Sequence, residues 1–239
     1  MAVNLRGVTT VLLPGTGSDD DFVYRAFSTA LHQEGAVVVA PRPQPDRLLD
    51  GYREELTDAW LAGDRAPIAV GGVSIGAAVA VEWALRHPGH ALAVLAALPA
   101  WTGEPDTAPA AHAARYSAEL LRRDGLVSAT AQMRAGSPRW LADELSRSWL
   151  GQWPSLPDAM DEAASYTAPT AVQLETLTAP LGVVSATDDA VHPLEIGVEW
   201  ASAAPCGALR TVTLDEIGAD PGILGAMSLA ALREAESRA

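Results

Sequence analysis

The chain contains no lysine; all sixteen of its basic residues are arginine, set against thirty acidic ones, for a formal net charge of −14. A surface with that balance offers neither counterion release from nucleic acid nor attraction to an anionic membrane, so neither is expected as a partner. Only one cysteine is present, Cys206, which excludes an internal disulfide and any cysteine-based zinc cluster and leaves a small, half-buried residue as its reading. No apolar run approaches the roughly eighteen residues of a membrane span. The start, Met1-Ala2-Val3-Asn4-Leu5-Arg6, lacks the apolar core of a signal peptide. The expectation is a cytoplasmic protein. With 49% hydrophobic and 19% charged residues over 239 positions, the chain is expected to fold as one α/β domain carrying an insertion.

Short apolar runs alternate with helical patterns. Thr9–Leu13, Ala36–Ala40, Pro67–Val70, Ala91–Leu98, Leu181–Ser185 and Leu209–Leu214 read as strands, with helices expected over 19–34, 46–61 and 77–86 and at the end of the chain. Strands separated by helices of this length imply βαβ units. Their continuous rather than alternating hydrophobicity fits a mostly parallel, doubly wound sheet covered on both faces. Residues 101–178 differ: they show helical patterns around 112–125, 127–135, 138–149 and 157–166, no convincing strand, and four of the seven tryptophans, Trp101, Trp140, Trp149 and Trp153. Asp19, Asp20 and Asp21 sit where a helix begins, and a cap at the positive end of the helix dipole accounts for them better than a metal cluster. Pro14-Gly15-Thr16-Gly17-Ser18 is glycine-rich, but no Gly-Lys-Ser/Thr follows, so it is not read as a phosphate cradle. No metal and no cofactor is expected. His87 and His90, at a helix end, and His112 are assigned no catalytic role.

One stretch organises the rest. Gly72-Val73-Ser74-Ile75-Gly76 places a serine at a sharp turn between strand and helix, with small residues two positions to either side. That context exposes a hydroxyl beside the free N–H groups of a helix N-terminus. The segment resembles the nucleophile elbow of the α/β-hydrolase superfamily, and the resemblance extends over the whole chain: residues 1–100 and 179–239 would form the core, and 101–178 a helical cap. It implies Ser74 as nucleophile and the backbone N–H groups of Thr16 and Ile75 as oxyanion donors. Gly15, Trp101, Trp140 and Trp149 would line the substrate pocket. The triad acid would be Asp189, four residues before Pro193, with Asp188 as the second choice.

The general base is harder to place. In the superfamily the histidine follows the acid and lies in the loop after the last strand. Here that loop is expected over 215–221, and Gly218-Ala219 stands where relatives place Gly-His, with no histidine after His192. By that resemblance the base position is occupied by Ala219, either because the protein has lost its base or because the residue has been replaced, and the chain as written would be an impaired enzyme. His192 is the substitute, but it lies three residues from Asp189 on one loop, and the pair would need unusual geometry to set the imidazole between Asp189 and Ser74. Asp220 reads as a cap for the last helix.

The function expected is cleavage of a carboxylic ester, thioester or lactone of a small apolar substrate. The other reading is a non-hydrolytic relative that binds a small apolar ligand. A homo-oligomer is compatible with the sequence, which does not set the oligomeric state.

Overall fold

The computed structural model describes residues 3–238, and its core is a single six-stranded sheet. Strands β1 (Thr9–Leu13), β2 (Val37–Val39), β3 (Ile68–Val73), β4 (Ala91–Ala97), β5 (Leu181–Ala186) and β6 (Gly207–Val212) lie in the order β2-β1-β3-β4-β5-β6. Every neighbouring pair is parallel. Parallel neighbours need crossovers, and α1 (Asp20–Gln33), α2 (Leu48–Ala62), α3 (Ile75–Arg86) and α8 (Leu194–Ala203) supply four of them, while α10 (Ile223–Arg238) follows the last strand and packs back on the sheet.

The strands feed two cores in alternation. Val11, Leu13, Val70, Val94, Ala96, Leu181 and Val183 face α2, α3 and α8, where Tyr52 and Trp200 are almost fully buried. Leu12, Ala69, Ala93, Leu95, Val184 and Ala186 face α1 and α10, packing on Phe27, Leu31, Leu224 and Leu232. Each fully buried Leu, Val or Phe contributes about 1.5–3 kcal/mol of transfer free energy, so the central strands, buried on both faces, are the fixed frame of the molecule. The strand C-termini, where β3 leads into Ser74, project from that frame, and in open parallel sheets this is the edge at which sites form.

Between β4 and β5 the chain inserts α4 (Pro109–Ala135), α5 (Arg139–Gln152), α6 (Leu156–Ala164) and the short α7 (Ala171–Leu174). Helix α4 is broken at Gly125, whose φ of 74° interrupts the helical path and produces the two helices read from the sequence. The inserted helices have a small core of their own, Leu120, Leu121, Trp149, Leu156 and Met160, while Ala159, Ala163 and Tyr166 join the main core. Helix α2 starts at Arg47 without a side-chain cap of its own. The Glu162 carboxylate of α6 accepts from Leu48 N–H at 2.8 Å and Leu49 N–H at 3.1 Å, so the insertion caps a core helix. A carboxylate at a helix N-terminus is favoured by both the free donors and the dipole.

Two expectations change. The stretch expected as a loop after the last strand contains a helix, α9 (Leu214–Ala219), and β6 ends at Val212 rather than Leu214. The cause is a reciprocal capping box, in which the Thr213 hydroxyl accepts from Glu216 N–H and the Glu216 carboxylate accepts from Thr213 N–H. Helix α8, between β5 and β6, was not anticipated, nor was α7, which carries a capping box of its own between Thr170 and Gln173. Asp19 accepts from Phe22 N–H at 2.9 Å and so caps α1, with Asp20 and Asp21 in the first turn.

Candidate active site

The elbow is made by close packing. A Cβ at Gly72 would come within 2.3 Å of the Leu13 carbonyl oxygen, and one at Gly76 within 2.2 Å of the same atom. Only hydrogen fits at either position, so β1 presses directly on the turn. Between them Ser74 adopts φ 55° and ψ −117°, a left-handed conformation that is strained for a residue with a Cβ. Its N–H donates to Ala97 carbonyl in β4 at 2.9 Å, which anchors the turn to the sheet. A serine at a helix start usually turns its hydroxyl back to cap the helix. Ser74 makes no such bond.

The hydroxyl is engaged elsewhere: Ser74 Oγ lies 3.1 Å from His192 Nε2. On the other side of the ring, His192 Nδ1 lies 2.7 Å from Asp189 Oδ2. Both acid and imidazole come from the 187–193 loop after β5, and the loop folds to make this reach. The other carboxylate oxygen, Oδ1, accepts from the backbone N–H groups of Val191 at 2.8 Å and His192 at 3.2 Å. The Asp189 carboxylate thus ties the turn together before it contacts the ring. Burial pushes its pKa upward, but the hydrogen bond and positive charge of His192 and the two backbone donors outweigh that, and the group is held below its ordinary value. An ionised carboxylate only accepts, so Nδ1 carries a proton. In the neutral ring Nε2 is then bare and accepts from the Ser74 hydroxyl. Ser74 is 7% exposed, and the ring and carboxylate are mostly shielded from water as well.

The sequence-based candidates separate accordingly. Ser74, Asp189 and His192 form one hydrogen-bonded chain. The unusual geometry demanded of a same-loop pair is met, because backbone N–H groups of the loop itself fold it onto Asp189. Ala219 is the last residue of α9 and is exposed to solvent. The imidazole within hydrogen-bond reach of the Ser74 hydroxyl is that of His192. Asp188 faces away, accepting from Leu214 N–H at 2.8 Å and fixing the start of α9. Asp220 accepts from Gly222 N–H at 2.8 Å in the turn before α10.

The glycine-rich loop after β1 lies against Ser74: a Cβ at Gly15 would stand 3.5 Å from Ser74 Cβ. Ile75 is the first residue of α3, so its N–H has no acceptor within its own helix. The three tryptophans divide. Trp149 of α5 covers the loop, its Nε1 lying 2.9 Å from where a Gly17 Cβ would be, with Met160 beside it. Trp101 is buried in the main core, where its indole N–H donates to Tyr166 carbonyl at 3.2 Å; it also walls a cleft of about 330 Å³ bounded by Thr102, Glu104, Pro193 and Glu199. Trp140 sits against Gly218 of α9 and stacks with Phe22 at 6.3 Å. Two buried polar residues of α5, Ser148 and Gln152, escaped the sequence reading; nothing in the sequence distinguishes them from other helix positions. Among the described residues no three His, Cys, Asp or Glu side chains gather where they could hold a metal ion. Among the same residues no helix is long and apolar enough to cross a membrane.

The six-stranded parallel sheet, the strained serine turn after its third strand and the helices inserted after the fourth define the α/β-hydrolase fold, and solved structures agree. The chain is similar to a putative non-heme bromoperoxidase from Mycobacterium tuberculosis (TM-score 0.71, 18% identity, covering 98% of this chain and 97% of that one). It is similar to a hydrolase from Oleispira antarctica (TM-score 0.73, 15% identity, 95% and 93% covered). A carboxylesterase structure from Nitrososphaera gargenis also matches (TM-score 0.74, 14% identity, 98% and 93% covered). In sequence, no protein-family model and no curated protein matches the chain. At these identities the likeness is one of fold.

Proposed function

We propose that the protein is a serine hydrolase that cleaves a carboxylic ester, thioester or lactone of a small apolar substrate. The observation that carries the reading is the continuous chain from Ser74 Oγ to His192 Nε2 at 3.1 Å and from His192 Nδ1 to Asp189 Oδ2 at 2.7 Å. In the proposed reaction Nε2 takes the hydroxyl proton as Ser74 Oγ attacks the carbonyl carbon. Asp189, ionised and held by two backbone donors, keeps the ring in the correct tautomer and stabilises the imidazolium that forms. The negative charge that develops on the carbonyl oxygen is accepted by the N–H groups of Thr16 and Ile75. As the tetrahedral intermediate collapses, the imidazolium gives its proton to the leaving alkoxide or thiolate, and an acyl-Ser74 ester remains. Water then attacks that ester, losing its proton to Nε2, and the free acid departs as Ser74 recovers its hydrogen. No step needs a metal or an organic cofactor.

With His192 as base, the impairment expected from Ala219 falls away from the proposal. The ligand-binding alternative is less well supported, because a binding protein has no use for a strained serine aligned with an imidazole. A cytoplasmic setting fits the reading, since the chain needs no disulfide. The test is hydrolysis of short and medium p-nitrophenyl esters, with labelling by a fluorophosphonate, in the wild type and Ser74→Ala. Turnover and labelling that both vanish in the variant are expected; a folded wild type that neither turns over nor labels overturns the proposal.

A further inference from the structure

Resting on that reading, the contact between α5 and the glycine-rich loop takes on a role beyond packing. The loop closes as a tight turn: Ser18 N–H donates to Gly15 carbonyl at 3.0 Å, with Thr16 and Gly17 between them and Gly17 at φ 70°. Thr16, the proposed oxyanion donor, therefore sits inside a turn whose two ends are Gly15, against Ser74, and Ser18. The Ser18 end is held from the insertion. Gln152, the last residue of α5 and 8% exposed, donates from Nε2 to Ser18 carbonyl at 2.9 Å. The same amide group lies 2.7 Å from the Ser148 hydroxyl, one helical turn earlier, and Ser148 is 3% exposed. A carbonyl only accepts, which fixes the orientation of the amide. Trp149, between these two polar residues in sequence, closes over Gly17. Farther out, Arg147 pairs with Asp19 at 3.1 Å and Asp21 at 2.6 Å, but these groups are partly exposed, and salt-screened pairs of that kind hold geometry weakly.

We infer that Gln152 is a positioning residue for the oxyanion loop: through the Ser18 carbonyl it sets where Thr16 N–H points, and it makes catalysis conditional on α5 being seated. Oxyanion stabilisation depends steeply on donor placement. Loss of one donor costs on the order of 10²–10³ in turnover, and misplacement of about 1 Å up to about 10². Ground-state binding of the substrate does not draw on that donor to the same degree.

The experiment compares Gln152→Met and Gln152→Glu with the wild type. Both variants keep the side-chain length and lack the donor, and the glutamate also sets an acceptor against an acceptor. Three quantities are read: kcat and KM on p-nitrophenyl butyrate, the affinities of a trifluoromethyl ketone and of its methyl ketone parent, and the melting temperature. The fluorinated ketone adds Ser74 and places an oxyanion in the hole, whereas the parent binds without addition. The expected result is a fall in kcat of about ten- to a hundredfold with KM within about threefold. The trifluoromethyl ketone should weaken in proportion while the methyl ketone holds. If kcat and trifluoromethyl ketone affinity stay at wild-type values, or if kcat, KM and both ketones shift together, Gln152 has no positioning role. Should neither variant fold, Ser148→Ala frees the Gln152 amide and is expected to show the same split at a few-fold amplitude; no split there counts against the inference. Absence of Ser74-dependent turnover in the wild type is a different failure, that of the hydrolase reading itself, and it shows before any Gln152 variant is made.

Discussion

The assignment of the base to His192 rather than to position 219 can be put to a direct test. Replacing His192 by alanine removes the group that, among the described residues, is hydrogen-bonded to Ser74 Oγ and can take its proton, the ring nitrogen at 3.1 Å. The loop itself should survive, because Asp189 Oδ1 still accepts from the main-chain N–H groups of residues 191 and 192, at 2.8 and 3.2 Å. What is lost structurally is one partly buried hydrogen bond to a charged group, worth about 1.5–3 kcal/mol. What is lost catalytically is the base, and removal of a triad member costs on the order of 10⁴–10⁶ in turnover, leaving roughly 10³–10⁴ over water from the oxyanion hole and binding. The assay is p-nitrophenyl butyrate hydrolysis with burst analysis, alongside chemical denaturation to confirm the fold. Ala219→His is made in both the wild-type and the His192→Ala backgrounds. Because Ala219 is exposed at the end of α9, the new histidine should leave the wild type unchanged within about twofold and should not rescue His192→Ala. Retained activity in His192→Ala, or a hundredfold gain on adding a histidine at position 219, would refute the reasoning and return the base to the C-terminal loop.

Two further outcomes follow from the geometry. Gly76→Ala puts a methyl carbon 2.2 Å from the Leu13 carbonyl oxygen, a backbone atom that cannot swing aside, so a loss of about 3 kcal/mol or more is expected by urea denaturation, at or beyond the upper end of ordinary overpacking. Asp189 is held below its ordinary pKa, so its charged form favours the fold: the stability gap between wild type and Asp189→Asn should be present at neutral pH, begin to close only below about pH 4, and go on closing as the carboxylate protonates; a gap that widens as the pH falls further below about 4 would contradict the assignment.

The sheet was legible because its strands are short, apolar on both faces and punctuated by glycine and proline, which is what a doubly covered parallel sheet demands of Thr9–Leu13 or Ala91–Ala97. The elbow was legible because Gly72 and Gly76 leave no room for a side chain. The segment after β6 is a helix rather than the expected loop because of Thr213-x-x-Glu216, the capping box that starts α9, a signal that the Gly218-Ala219 pair does not carry. The capping role of Glu162 on α2 could not be read at all, since it joins residues 114 positions apart in the chain. The same holds for Gln152 and Ser18, 134 apart. Such contacts are decided by how the insertion docks, and no local pattern encodes that.

His192 stands only as a substitute base in the sequence, for a more specific reason. Two residues three apart on an extended loop point in divergent directions, and on that assumption an imidazole needs unusual geometry both to contact Asp189 and to reach Ser74. The assumption fails because Asp189 is not extended from its loop but is wrapped by it: Oδ1 draws in the N–H groups of Val191 and His192, and Oδ2 is left facing the ring. One carboxylate thus shapes the turn and orients the imidazole at once. The consequence reaches the other end of the chain. Where the acid and the base come from separate loops, the segment after the last strand must stay open enough to deliver a histidine to the serine. Here that segment is released from the site, and the stretch from Thr213 to Ala219 folds instead as a capped helix, pinned at its start by Asp188 and packed at Gly218 against Trp140 of α5. The neighbouring aspartates, 188 and 189, therefore divide the work: Asp189 faces the His192 ring, and Asp188 seats the start of α9.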